Sequence, residues 1–298
     1  MKILVPLTIT DSVLTSSSVP ENDYPQYSGA TTYALNDYVI DVGTNIHKVY
    51  QSLANGNVGN ALTNTSKWLF VGSTNRWKMH DGSIQSQTIK ATSIVNAYTF
   101  SSRINSLSAL NIDAGTLQVS MVVPTDGTVY NKTFDLTSTV GIANWYNYFF
   151  EPVVRQSDFI ITDLPNYSSG TLNVTFSTSS GNVAVGVLLL GSAKDVGVTD
   201  SSARVGTTSF STKTQDAFGN YTIVPRTYKR TGQFNVYVNA NYVDYLHKLL
   251  TTYRDTPILY IGGEEYKSTY IYGFYKDFGI VISYPTVSIC DITIEGLT

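Results

Sequence analysis

The sequence predicts a mainly β protein, and three observations carry that expectation. Only 14% of the 298 residues are charged, against about 25% in an average soluble domain. Helix formers are scarce: Glu occurs five times and Met three, whereas Tyr occurs 22 times and Ser, Thr and Asn together fill 89 positions. β-Branched and aromatic residues suit a pleated surface, and Ser, Asn and Gly suit the turns between strands. Short runs of alternating apolar character recur between Gly/Asn/Ser clusters, the pattern of strands joined by tight turns. The same composition excludes a helical bundle or a coiled coil, and with 42% apolar residues it excludes disorder.

The elements follow in order. Residues 1–27 open with the short apolar run Met1-Lys2-Ile3-Leu4-Val5-Pro6-Leu7, followed by Ser16-Ser17-Ser18 and Pro20. They read as an arm that reaches a neighbour or as a peripheral strand of the main body. The apolar run is too short for the core of a signal peptide, and Pro6 interrupts it. No stretch approaches 18 apolar residues, so membrane insertion is not expected. Residues 28–80 read as a small β domain: Thr32-Tyr33, a turn at Asn36-Asp37, Tyr38-Val39-Ile40, a second turn at Gly43-Thr44-Asn45, a return through Val49-Tyr50, and a closing strand from Trp68. A unit of this size has little core and depends on large aromatics to build it.

Residues 81–200 predict a β-sandwich or jelly roll, with strands at 116–123, 129–134, 158–164, 171–176 and 183–190. The last two flank an expected turn at Ser179-Ser180-Gly181-Asn182, and Phe149-Phe150-Glu151-Pro152 reads as a strand end or corner. Residues 201–298 predict an α+β unit. Strands are expected at 218–228 and 233–238, and then one helix. Asn239 or Asn241 can cap that helix, Val243, Leu246, Leu250 and Tyr253 recur at helical spacing, and it stops before Pro257. Further strands are expected at 258–261, 269–275, 280–284 and 287–295. This last unit is either a separate domain or the completion of the sandwich.

The chemistry-bearing residues are few. Net charge is −3 with a pI of about 5.6 and no basic stripe, so nucleic acid is not an expected partner. Cys290 is the lone cysteine, which excludes a disulfide framework and a Cys-based zinc site. It alternates with Ile292 and Ile294 and reads as a small buried hydrophobe. His47, His80 and His247 lie far apart, so no metal and no cofactor is expected. His80 and Asp81 are adjacent and would face opposite sides of a strand. Glu264-Glu265 follow Gly262-Gly263 and read as exposed charges on a turn, whereas glycoside hydrolysis needs carboxylates about 5–10 Å apart across a cleft. No nucleophile elbow, phosphate loop or zinc helix occurs. The expectation is a protein that is not an enzyme.

Aromatics are the more suggestive feature. Tyr33, Tyr38, Tyr50, Trp68 and Trp77 lie in or beside the small domain. Flat apolar sugar faces stack on such rings, so these are candidate glycan-binding residues. For Tyr33, Tyr50 and Trp68 the simpler reading is that they are the core of the domain; Tyr38 and Trp77 stay open. In the C-terminal third, Tyr266, Tyr270, Tyr272 and Tyr275 are candidates for an assembly interface, because tyrosine buries area while its hydroxyl stays satisfied. Tyr270, Tyr272 and Phe274 would share one sheet face. Core packing is the competing reading.

The segment from Tyr27 to Gly72, with Tyr33, Asp37-Tyr38-Val39, His47-x-Val49-Tyr50 and Trp68, resembles the small chitin-binding-type carbohydrate-binding module of secreted chitinases. Where such modules carry adjacent aromatics after the second strand, this chain reads Gln51-Ser52-Leu53. The whole chain resembles a family of tailed-bacteriophage virion proteins that begin with this module. The stretches "MKILVPLTITDSVLTSSSVPENDY", "STNRWKMHD", "NWYNYFFEPVVRQSDFIITDLP" and "YIYGFYKDFGIVISYPTVSICDITIEGLT" carry the likeness. The resemblance implies a structural protein of the tail tip or baseplate, made in the host cytoplasm and built into the virion. Its implied partners are other tail proteins and its own copies in a symmetric oligomer, with host surface glycans as a further partner if its role is adhesion. It implies no catalytic residues.

Overall fold

The computed structural model describes residues 1–138, 144–150, 152, 154–282 and 285–297, and it is mainly β. The chain divides into two units, one formed by Leu7–Leu190 and the other by Met1–Pro6 together with Gly191–Thr298. The boundary expected near residue 200 lies instead between Leu190 and Gly191, inside the strand Gly170–Asp195. The small domain at 28–80 and residues 81–190 of the expected sandwich lie within the first unit, and residues 191–200 belong to the second.

In that unit, residues 170–177 pair antiparallel with Thr116–Val123 on one side and with Thr88–Phe100 on the other. Thr116–Val123 continues into Gly127–Asp135, and Leu14–Ser17 lies along the outer edge of Thr88–Phe100. Asp158–Ile161 pairs with Ser106–Asp113. Alternation then fixes the core. Leu172, Val174 and Phe176 point inward together with Leu117, Val119, Met121, Ile94, Tyr98 and Phe100, all buried in one cluster. The turn expected at 179–182 is instead a bulge. Ser177 pairs with Ser93 and Asn182 with Ala91, so four residues stand opposite Thr92 alone. Turn chemistry is present, with Gly181 at φ 80° and Thr92 at φ 61°. The partner strand is 13 residues long, however, and it binds both halves in one direction. A six-residue helix, Trp145–Phe150, occupies the expected corner; Glu151 lies outside the described residues.

The second unit is built on one antiparallel sheet, with a separate two-stranded sheet at Thr212–Gln215 and Tyr221–Val224. Residues 191–195 form an edge, followed by Lys2–Pro6, Ile258–Ile261, Tyr270–Val281, Val287–Gly296 and Tyr228–Asn239. Val198–Thr199 and Arg204–Ser209 share the far side of that last strand. The N-terminal segment is thus an inner strand paired on both sides, not an arm. Asn239 caps the 3-10 turn Ala240–Tyr242 that leads into the helix: its side chain accepts from the Asn241 N–H, while Tyr242, the residue at the start of the helix itself, makes no side-chain cap bond. The helix Val243–Thr252 buries Leu246 and Leu250 in a core with Phe234, Val236, Ile258, Ile292 and Cys290. The strands expected at 269–275 and 280–284 are one strand, Tyr270–Val281, whose register shifts between Tyr275 and Asp277. Ser283 and Tyr284 lie outside the described residues.

Candidate functional site

The small domain is a three-stranded sheet, Tyr38–Asp41, Lys48–Ser52 and Trp68–Ser73. Its interior is Tyr33, Trp68 and Val39, with the partly buried Tyr27 ring packed against them. Tyr33 and Trp68 stand edge to face at 5.2 Å, and Tyr27 meets Trp68 at 5.7 Å. Each ring's polar end is satisfied: Trp68 Nε1 and the Tyr27 hydroxyl donate to the Asn60 carbonyl, and the Tyr33 hydroxyl exchanges hydrogen bonds with Ser28. The Gly/Asn loop is part of this core. Asn57 is buried and its amide donates to Ser52 Oγ and to the Lys67 carbonyl, while Asn60 donates to Asn57 Oδ1. Gly56 and Gly59 supply the left-handed backbone that turns the loop inward.

Of the five glycan candidates, Tyr33 and Trp68 are core residues, with no ring face free. Trp77 is also buried, at 1% exposure, because its ring packs against His47 at 4.9 Å and His80 at 5.9 Å; it cannot present a face to a sugar. Tyr38 is half-buried and stacks on Tyr24 at 4.8 Å. Tyr50 is half-buried beside Phe70, with ring centroids 5.8 Å apart. Phe70 is exposed together with Leu69 and Val71. The aromatic surface of the domain therefore consists of Tyr24 with Tyr38 and of Tyr50 with Phe70. Tyr24 and Phe70 were not legible as candidates. Phe70 shares a face with Trp68 by alternation, but it lies beyond the end of a three-ring core.

The domain is fastened below by polar contacts. His47 Nδ1 lies 2.7 Å from Glu21 Oε1 and its Nε2 lies 3.1 Å from Asp11 Oδ2. Thr74 Oγ1 donates to Glu21, and Arg76 Nε donates to the Val19 carbonyl. Just beyond, His80 Nε2 meets the buried Tyr98 hydroxyl at 3.2 Å, and Asn96 Nδ2 donates to that hydroxyl at 2.8 Å. Burial pulls the His80 pKa down to about 3, against the pull of the Leu188 carbonyl, so the ring is neutral. Asp81 is held separately by Ser83 and Ser86, and no acid–base pair forms with His80.

The assembly candidates separate just as sharply. Tyr272 is 5% exposed and is not a free surface. Tyr275 packs partly into the core against Phe278, and Tyr270 is half-buried with its hydroxyl on the Glu264 carbonyl. Only Tyr266 is open, at 66%. It stands on the turn between Ile258–Ile261 and Tyr270–Val281, which Thr269 Oγ1 ties to Gly263 and Tyr266. This turn is one wall of a groove of about 750 Å³ that also takes in Val198, Asp200, Val205, Glu264 and Glu265. Glu264 is ion-paired with Lys2 at 2.5 Å.

The largest unexpected surface is a two-stranded ribbon. Arg204–Ser209 pairs with 228–233, and Thr212–Gln215 pairs with Tyr221–Val224. Phe210 N–H bonded to Thr227 and Ser211 Oγ bonded to Arg226 join the two stretches. From 201 to 228 every residue except Ser211 is exposed, including Phe210, Phe218, Tyr221, Ile223, Val224 and Tyr228. The tip is ordered: the Asp216 carboxylate accepts from the Phe218 and Asn220 N–H groups and from Asn220 Nδ2. A second open apolar surface is the helix Trp145–Phe150, whose five aromatic rings are all exposed.

Among the described residues, no group of three or more His, Cys, Asp or Glu side chains stands close enough to hold a metal ion, and no helix is long and apolar enough to cross a membrane. Burial raises the Cys290 thiol to about 11. Comparison with protein-family models, curated proteins and solved structures returns no match.

Proposed function

We propose that this chain is a non-enzymatic structural component of a bacteriophage tail tip or baseplate that assembles with its own copies in a symmetric oligomer. The observation that carries the reading is the ribbon at 201–228. An isolated two-stranded hairpin is marginal in water, and this one exposes seven large apolar side chains. Apolar surface of that extent marks an interaction site. The sequence likeness to tail proteins supplies the setting, the virion, and neighbouring tail proteins as further partners. In this setting the small domain, with its complete core, is a spacer held outward on the His47–Glu21 contact.

Two measurements test the reading. Light scattering of the purified protein gives its mass, and mass spectrometry of purified particles gives its presence in the virion. A defined oligomer found in particles supports it. A monomer absent from particles sinks it.

A second reading, adhesion to host surface glycans, is favoured by the partly exposed ring pairs Tyr24–Tyr38 and Tyr50–Phe70. Aromatic contacts of this kind contribute about 0.5–1.5 kcal/mol each, so useful affinity would need oligomeric avidity. Binding to host cells that survives both Tyr38→Ala and Phe70→Ala would remove this reading.

A further inference from the structure

The ribbon and the groove belong to the same unit, and they are complementary. In the ribbon, Lys213 stands opposite Ile223 and Gln215 opposite Tyr221, so these four side chains share one face. Phe218 at the tip is 91% exposed. Residues 201–228 carry Arg204, Lys213 and Arg226 against Asp216 alone, in a chain whose formal net charge is −3. The groove has the opposite character. Asp195, Asp200, Glu264 and Glu265 line it. Its two cations are engaged: Lys2 pairs with Glu264, and the Met1 ammonium donates to the Gly197 carbonyl. Its apolar residues Val198 and Tyr266 are open, at 70% and 66%.

We propose that the ribbon tip of one copy seats in the groove of the next, with Phe218 and Tyr221 against Val198 and Tyr266 and with Lys213 facing Glu265. The occupant is a second copy because the ribbon cannot fill its own groove. Val205 at the base of the ribbon already lines that groove. Cross-strand pairing carries the chain away from there to the turn at Asp216, roughly 35 Å at the rise of an extended strand. The contact joins two different surfaces, so it is head-to-tail: it closes into a ring if the rotation permits and runs into a filament if not. This inference rests on the reading of the chain as self-assembling and adds which surfaces meet.

The test is light scattering on the whole chain across a concentration series, with charge reversals. Lys213→Glu and Glu265→Lys should each raise the dissociation constant tenfold or more, and the chain carrying both should recover the wild-type mass. Phe218→Ser should weaken assembly as strongly. All three side chains are exposed, so the melting temperature of the dilute monomer should stay put in every variant, which separates lost docking from lost folding. For direct contact, copies carrying Phe218→Cys are mixed with copies carrying Val198→Cys under mild oxidation; the native Cys290 is buried and takes no part. A covalent dimer in the mixture alone supports the proposal. Phe218→Cys copies that link to one another as readily overturn it in favour of ribbon-to-ribbon pairing. A wild-type oligomer indifferent to all three substitutions overturns the ribbon–groove contact while leaving self-assembly in place. A wild type that stays monomeric overturns both.

Discussion

The small domain at 28–73 and the ribbon at 201–228 draw on the same residue types, and only the first has an interior. Each is a short β structure rich in Ser and Thr and carrying tyrosines. In the small domain a third strand and an inward loop close over Tyr27, Tyr33 and Trp68, with the buried Asn57 amide as a hub. In the ribbon nothing closes, and Tyr221 and Ile223 remain 66% and 58% exposed. What makes a short β segment self-sufficient is therefore not its residues but a third layer to pack against. A segment without that layer needs another molecule.

The comparison is tested most severely by removing the ring at the centre of the closed unit. Trp68→Ala should cost about 3–5 kcal/mol, the usual range for a large buried aromatic. The loss should be local: limited proteolysis should cut within 53–67 while the second unit keeps its protection. Cutting that spreads at once to both units would show that the small domain has no stability of its own.

Acid should act next, below the small domain and not in the ribbon. His80 is neutral when folded, with its pKa pulled by burial from the usual 6.5 to about 3. Above pH 6.5 this group favours neither state. As pH falls from 6.5 towards 3 the unfolded chain binds a proton that the folded one refuses, so stability declines, by up to about 4 kcal/mol once the ring's partly exposed edge is allowed for. Urea melts of the wild type against His80→Gln, between pH 7 and 5, isolate this slope from the carboxylates that titrate lower. Parallel slopes would mean that His80 is solvated.

A smaller effect belongs to the amide hub. Asn57→Ala leaves Ser52 Oγ and the Lys67 carbonyl without their buried donor, and such a loss costs about 1–3 kcal/mol. Hydrogen exchange should quicken in Lys48–Ser52 and Trp68–Ser73 and stay unchanged in the ribbon. Equal quickening in both would erase the distinction between them.

Much of the fold was legible because alternation and turn residues act locally. The strands at 116–123 and 258–261, the helix with the Asn239-capped turn that leads into it and the burial of Cys290 all follow from short-range pattern. What escaped depends on partners distant in sequence. Ser179–Asn182 has turn residues and becomes a bulge because Thr88–Phe100 is long enough to hold both flanks. Met1–Pro6 looks like an arm and becomes an inner strand because Ile258–Ile261 and residues 191–195 both pair with it. Trp77 and Tyr272 were plausible surface residues by type, and only packing shows them buried. The Phe70 surface, the ribbon and its acidic groove carry no local signature at all, since exposure is a property of what fails to cover a residue.

The smallest expected change discriminates between the two regions most cleanly. Ile223→Ser removes an apolar side chain from the middle of a strand, where in a closed sheet it would cost about as much as a core deletion. In the ribbon it should alter the stability of the dilute monomer by less than about 0.5 kcal/mol, as surface substitutions do. Raising the protein concentration should then separate the two chains. Assembly stabilises the folded wild type by mass action, so its melting temperature should climb with concentration while that of Ile223→Ser stays flat. A dilute Ile223→Ser monomer weaker by about 1 kcal/mol or more would place the ribbon inside the fold of its own chain, and the contrast with the small domain would collapse.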